Sequence, residues 1–189
     1  MGMYTITSRR PSDERIRRHN AAGFTLIELL VVIAIIGLLS TLALISYSRA
    51  RLAAKEAKAA ADVDTLVAAI GLLSIDTDKW PNGCPVDSTA NPEVDLNDAQ
   101  AGITQAPVVG DQGDGCFWSA EDIAKWHGPY AQSTVDPWGH HYWFDPDYYP
   151  RQNCPGYGAT SVRAAVLSFG ANGTGLNAYD CDDIYKILR

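Results

Sequence analysis

The sequence predicts an α+β chain: one long N-terminal helix, membrane-spanning in its first half, packed by its second half on a small antiparallel β-sheet. Three observations predict it. Phe24 to Ile45 (FTLIELLVVIAIIGLLSTLALI) is an apolar run of 22 residues whose one charge is Glu28. Arg49 to Ala69 is alanine-rich and free of glycine and proline. Beyond residue 76, short β-branched and aromatic segments alternate with Gly, Pro, Asn and Asp turns.

Composition sets the outer bounds. A chain of 189 residues has room for one domain and an appendage. Its 47% apolar and 20% charged content excludes a disordered chain. The net charge of −7 hides a split: residues 1–23 carry five Arg (Arg9, Arg10, Arg15, Arg17, Arg18) against two acids, and the rest is strongly acidic. An acidic body lacks the clustered Lys/Arg that a phosphate-binding face requires, so nucleic acid is not the expected partner.

As a helix, Phe24 to Ile45 reaches about 33 Å, enough to cross a hydrocarbon core. A cleaved secretory signal would have a shorter apolar stretch and small residues after it. Here Ala21-Ala22-Gly23 precede the run, so it reads as an anchor in the lipid bilayer. The Arg cluster on its N-terminal side should stay cytoplasmic, which puts the acidic body across the membrane. Glu28, a carboxylate within an apolar helix, is costly alone and is read as the partner of a cation on a neighbouring subunit.

The helix should continue past the membrane. Val63, Leu66, Val67 and Ile70 fall at i, i+3, i+4, i+7, one stripe for a sheet to cover. Gly71 weakens the pattern, and Asp76–Gly83 (DTDKWPNG) ends it with turn residues, giving a helix from Phe24 to about Ser74. Three segments follow: a basic leader (1–23), the long helix (24–75) and a globular domain (76–189). In the domain, Cys84 to Gly115 reads as a long loop and Ser119–Trp126 as a short helix capped by Ser119 with Asp122. Tyr142-Trp143-Phe144, Ala164–Phe169 and a segment near Asp183–Leu188 read as strands of one antiparallel sheet.

Cys84, Cys116, Cys154 and Cys181 all lie in the predicted translocated part. An even count in an oxidising compartment implies two disulfides, and three connectivities are possible. Cys84–Cys116, closing the long loop, and Cys154–Cys181 are the favoured pair. A zinc site is the competing reading, and no pair has C-x2-C spacing. His140-His141 are adjacent, so on a strand they point to opposite faces and do not readily chelate one ion. No nucleophile elbow, H-E-x-x-H or phosphate loop occurs, and Asp145/Asp147 show no sign of divergent environments; an enzyme is not expected.

Gly23-Phe24-Thr25-Leu26-Ile27-Glu28, followed by LLVVIAIIGLLS, resembles the N-terminus of type IV pilins and of the pseudopilins of type II secretion. The resemblance implies a pilin-like fold, cleavage by a prepilin peptidase between Gly23 and Phe24, and methylation of the new Phe24 amine. It also implies that Glu28 neutralises the Phe24 amine of a neighbouring subunit during assembly. Many relatives carry proline where this chain has Ile45; Gly37 and the Ser46/Ser48 region would supply any flexibility here.

Further on, Trp126-His127-Gly128-Pro129-Tyr130 and Asp136-Pro137-Trp138-Gly139-His140-His141-Tyr142 resemble the W-x-G-P-Y and D-P-W-G-x-x-Y pattern of the major pseudopilin. Ser168–Gly173 with Asp182-Asp183-Ile184 resembles that family's calcium loop. The ligands so implied are the Phe169 backbone oxygen, Asn172, Asp182 and Asp183, with Asn177 and Asp180 as further candidates. An oxygen-rich, glycine-containing loop suits calcium, which takes six to eight oxygens, although the spacing is not that of an EF-hand. The residues between Pro81 and Trp126, and the cysteines, depart from the family's usual short form.

The function implied is a structural subunit of a periplasmic pseudopilus supporting type II protein secretion. It would be a homopolymer working with minor pseudopilins and an inner-membrane assembly platform. Localisation would be single-pass in the inner membrane with a periplasmic domain. The alternative is a type IV pilin or minor pilin in adhesion, motility or DNA uptake. A membrane-tethered binding module, with residues 1–23 retained, is a third reading.

Overall fold

The computed structural model describes residues 23–89, 92–132, 135–157 and 161–188. The predicted basic leader lies outside them, apart from Gly23. The chain divides into two compact units, the first ending at Ile45 and the second beginning at Ser46.

One helix, α1 (Leu26–Thr77), runs through this boundary. In the first unit its apolar side chains point outward on every side, Leu26 at 82% and Leu38 at 64% exposure. A helix apolar all round belongs in a hydrophobic medium, and by length and composition α1 is able to cross a membrane. In the second unit, Ala59, Val63, Leu66, Ala69, Ile70, Leu73 and Thr77 form the buried stripe that the sequence period predicts. α1 does not stop at Gly71. A Cβ there would meet open space, and Leu73 and Thr77 beyond it are buried, so packing carries the helix further than propensity alone suggests.

The stripe packs on a four-stranded antiparallel sheet built from β1 (Val94–Asp95), β4 (Trp143–Tyr148), β5 (Arg163–Ser168) and β6 (Ile184–Ile187), in that spatial order. Phe144 pairs with Val166, and Val166 with Lys186. Alternation along β5 sends Ala164 and Val166 to the core beneath α1, together with Phe144, Tyr142 and Trp80. Ala165 and Leu167 go to the opposite face, where they meet Tyr148, Phe169 and Tyr179 of a second core under the C-terminal loop. Both faces are therefore covered.

A register shift between Asp145 and Tyr148, at Pro146, breaks the alternation in β4. The bulge turns Tyr148 to the same side as Trp143. Proline is tolerated there because a bulge needs no ladder N–H.

Residues 84–115 are not a plain loop, as the sequence reading has it. They hold β1, a 3-10 turn at Ala99–Ala101 and the first strand of a hairpin, β2 (Gly110–Gly113) paired with β3 (Cys116–Trp118). Elements this short leave no periodic trace. Cys84 is bonded to Cys116 and Cys154 to Cys181. Trp118, fully buried, donates its Nε1–H to the Gln100 carbonyl at 2.8 Å and pins the hairpin to the 3-10 turn. The short helix α2 (Ala120–Lys125) starts with a Ser119/Asp122 capping box, as expected.

Candidate functional site

The N-terminal site lies on the first turn of α1. Thr25 is the N-cap, and its hydroxyl accepts the Glu28 backbone N–H at 3.3 Å. The Glu28 carboxylate reaches back to the Thr25 N–H at 2.8 Å and to its hydroxyl at 2.7 Å. This is a reciprocal capping box, and the T-x-x-E spacing is its signal in the sequence. Phe24 is 79% exposed, and Gly23 would accept a Cβ without contact. The Gly23–Phe24 bond thus adjoins a helix whose first charged side chain is held by its own cap.

The C-terminal acidic loop gathers some of the predicted ligands. The Asn172 side-chain amide donates to Asp180 at 2.8 Å and to Asp182 at 2.6 Å, and its backbone N–H donates to Asp182 at 2.9 Å. Burial and the hydrogen bond to Asp182 raise the Asp180 pKa. Asp182 is itself partly buried, yet the bond to Asp180 and neighbouring backbone N–H groups hold it below the usual carboxylate range. Gly170, at φ +62°, lets the Asp182 carbonyl approach where any Cβ would collide.

Asp183 behaves differently. It is buried, and its Oδ2 accepts the Tyr148 hydroxyl at 2.9 Å. Burial, with the charges of Asp180 and Asp182, pushes it up to about 7. Asn177 is outside the Asn172 network, its Oδ1 accepting the Tyr179 hydroxyl at 3.1 Å. The Phe169 ring packs against Trp143 with centroids 5.7 Å apart. Asn172, Asp180 and Asp182 are a hard-oxygen donor set of the kind calcium takes, with the amide nitrogen of Asn172 now bridging the two carboxylates.

Two aromatic turns fasten the domain to α1. The Tyr130 hydroxyl donates to Asp76 at 2.7 Å, while the Trp126 ring stands edge-on to Tyr130 and donates its Nε1–H to the Gly102 carbonyl at 2.7 Å. In the second turn, buried Asp136 accepts the N–H groups of Trp138 and His140 at 2.9 and 2.8 Å and the Ser168 hydroxyl at 2.5 Å. Tyr142 donates to Asp62 at 2.8 Å, and Lys55 sits over the Trp138 ring at 5.5 Å. His140 lies beside Asp136 and His141 beside Asp95, so the two imidazoles have separate partners.

One expectation needs correction. Asp145 does not sit in ordinary surroundings: burial, reinforced by the charge of Glu93, pushes it up to about 8. Strand register sets Glu93 opposite Asp145, and Pro146, between two acids within a strand, is the sequence signal for the bulge that brings Asp147 beside them. Glu93 carries no such signal.

Comparison with known proteins is consistent with this geometry at one end of the chain. Residues 18–44 match the prokaryotic N-terminal methylation motif. No curated protein and no solved structure matches the chain. The methylation motif implies processing by a prepilin peptidase and pilus-like polymerisation, and the apolar helix that carries it fits inner-membrane anchoring. With a long N-terminal helix followed by a small antiparallel sheet, these findings support a type IV pilin-like subunit.

Proposed function

We propose that the chain is the major structural subunit of a periplasmic pseudopilus that drives type II protein secretion. The observation that carries this reading beyond a generic pilin is the pair of aromatic turns, Trp126–Tyr130 and Asp136–Tyr142. They resemble the major-pseudopilin pattern, and they fix the domain to Asp76 and Asp62 of α1. In this reading a pool of processed subunits waits in the inner membrane. The exposed apolar side chains of the first unit supply helix–helix packing in the fibre, and Glu28 exchanges Thr25 for the Phe24 amine of a neighbour.

The same reading makes Asn172, Asp180 and Asp182, with Asp183 and the Phe169 carbonyl, a calcium loop. Calcium, when bound, supplies a charge that offsets the acids and cross-links the loop. Asn172 in place of the usual Asp removes one negative charge and predicts weaker binding.

Deleting the gene in its host tests the function. Exoproteins lost from the supernatant, with surface filaments intact, is the expected outcome. Lost filaments with intact secretion would mean an extracellular type IV pilin. Glu28→Ala should abolish assembly while leaving membrane insertion intact, and normal filament yield from that variant would sink the pairing argument.

A further inference from the structure

We propose that Glu93, Asp145 and Asp147 form a second calcium-type cation site, closed on its core side by the buried carboxylate of Asp183.

The sheet itself assembles the three acids. Val94 pairs with Phe144 in antiparallel register, which sets Glu93 directly across from Asp145. The bulge at Pro146 then brings Asp147 back, its N–H donating to Asp145 Oδ1 at 2.9 Å. One carboxylate oxygen from each of the three lies within 4.8 Å of the others. Like charges facing one another across a ladder destabilise a sheet. Asp145, 3% exposed, and Asp147 form no salt bridge among the described residues.

A second observation is independent of that cluster. Asp183 is 4% exposed, and its Oδ1 is buried without a hydrogen-bond partner among the described residues. A buried carboxylate oxygen left in that state is costly. Asp183 lines, with Glu93, Asp145, Phe169 and Tyr179, a cavity of about 10 Å³. That is about one water-sized sphere, room for a single ion and little else.

The donors are all oxygen, which selects hard cations over zinc or copper. Calcium accepts irregular sets of six to eight oxygens, whereas magnesium holds several waters in a strict octahedron that this cavity has no room for. The site shares Asp183 with the proposed calcium loop, but its own three acids, Glu93, Asp145 and Asp147, are distinct from the Asn172–Asp180–Asp182 group and do not depend on that group binding anything. Filling it would join the β1–β4 edge to the C-terminal loop through Asp183.

The test is equilibrium dialysis of the full chain, in detergent micelles, against radioactive calcium after stripping with chelator. Glu93→Gln and Asp147→Asn should each lose one bound equivalent that Asp182→Asn retains. Terbium replacing calcium should luminesce on Trp143 excitation, since Trp143 lines the cavity, and Glu93→Gln should abolish that signal. In chelator, Glu93→Gln should melt no lower than the parent chain; in calcium the parent should rise above it.

Unchanged calcium stoichiometry in both Glu93→Gln and Asp147→Asn would overturn the proposal. So would lower melting temperatures for both in chelator, because the carboxylates would then support the fold without a cation. A single equivalent lost only in Asp182→Asn would overturn it while sparing the calcium loop. A single equivalent lost in Glu93→Gln and kept in Asp182→Asn would do the reverse.

Discussion

Removing the two disulfides one at a time should have unequal effects. Cys84–Cys116 closes 32 residues and Cys154–Cys181 closes 27. Chain-entropy arithmetic gives about 3.7 and about 3.5 kcal/mol, nearly the same. Their surroundings differ. Cys84 and Cys116 are both fully buried in the core beneath α1, whereas in the second pair Cys154 is buried and Cys181 is exposed. Replacing the first pair by alanine also removes two packed sulfurs, at about 1 kcal/mol each.

The expected cost is therefore about 5–6 kcal/mol for Cys84→Ala/Cys116→Ala and, with one packed sulfur lost at Cys154, about 4.5 kcal/mol for Cys154→Ala/Cys181→Ala. For a unit of this size, each kcal/mol lowers Tm by about 3 °C. The assay is thermal melting of the full chain in micelles, followed by near-ultraviolet circular dichroism of the buried tryptophans. An equal or larger loss from the Cys154–Cys181 pair would refute the reasoning. It would mean that loop closure and core packing are not what hold residues 84–116 in place.

Three further outcomes follow from the geometry. Asp136→Ala strands the Ser168 hydroxyl and the N–H groups of Trp138 and His140, and should cost about 3 kcal/mol in chemical denaturation. Gly170→Ala puts a Cβ against the Asp182 carbonyl at φ +62°, and should cost about 1–3 kcal/mol, with faster amide exchange through residues 170–182. The Tyr130 hydroxyl is pushed up to about 12 by burial and its bond to Asp76. With the folded value above the unfolded one of about 10, its contribution is complete below pH 10 and is lost as pH rises towards 12. Tyr130→Phe should remove that slope from alkaline melting curves.

How much of this was legible in the sequence depended on the length scale of the signal. α1 announced itself through an apolar run and then a 3.6-residue period, and β4, β5 and β6 lay where β-branched and aromatic residues cluster. β1 has two residues, too few to show alternation, and the hairpin of β2 and β3 is rich in glycine and aspartate. The loop ligands could be named because Asn172, Asp180 and Asp182 are within ten residues of one another. Glu93 and Asp145 are brought together only by strand register, and Asp147 by a bulge that reverses the alternation. Thr25 with Glu28 carries two signals at once, the T-x-x-E spacing of a capping box and a carboxylate within an apolar run.

The sheet described above ends in two unlike borders. β1 offers only two residues of open backbone, and β6 carries Lys186, tied to Asp64 of α1 at 2.8 Å. Short borders and charged borders both discourage another chain from adding a strand. In the proposed filament subunit, this closes off the competing route of cross-β aggregation. Growth is then left to the apolar helix surface, where subunit order can be controlled.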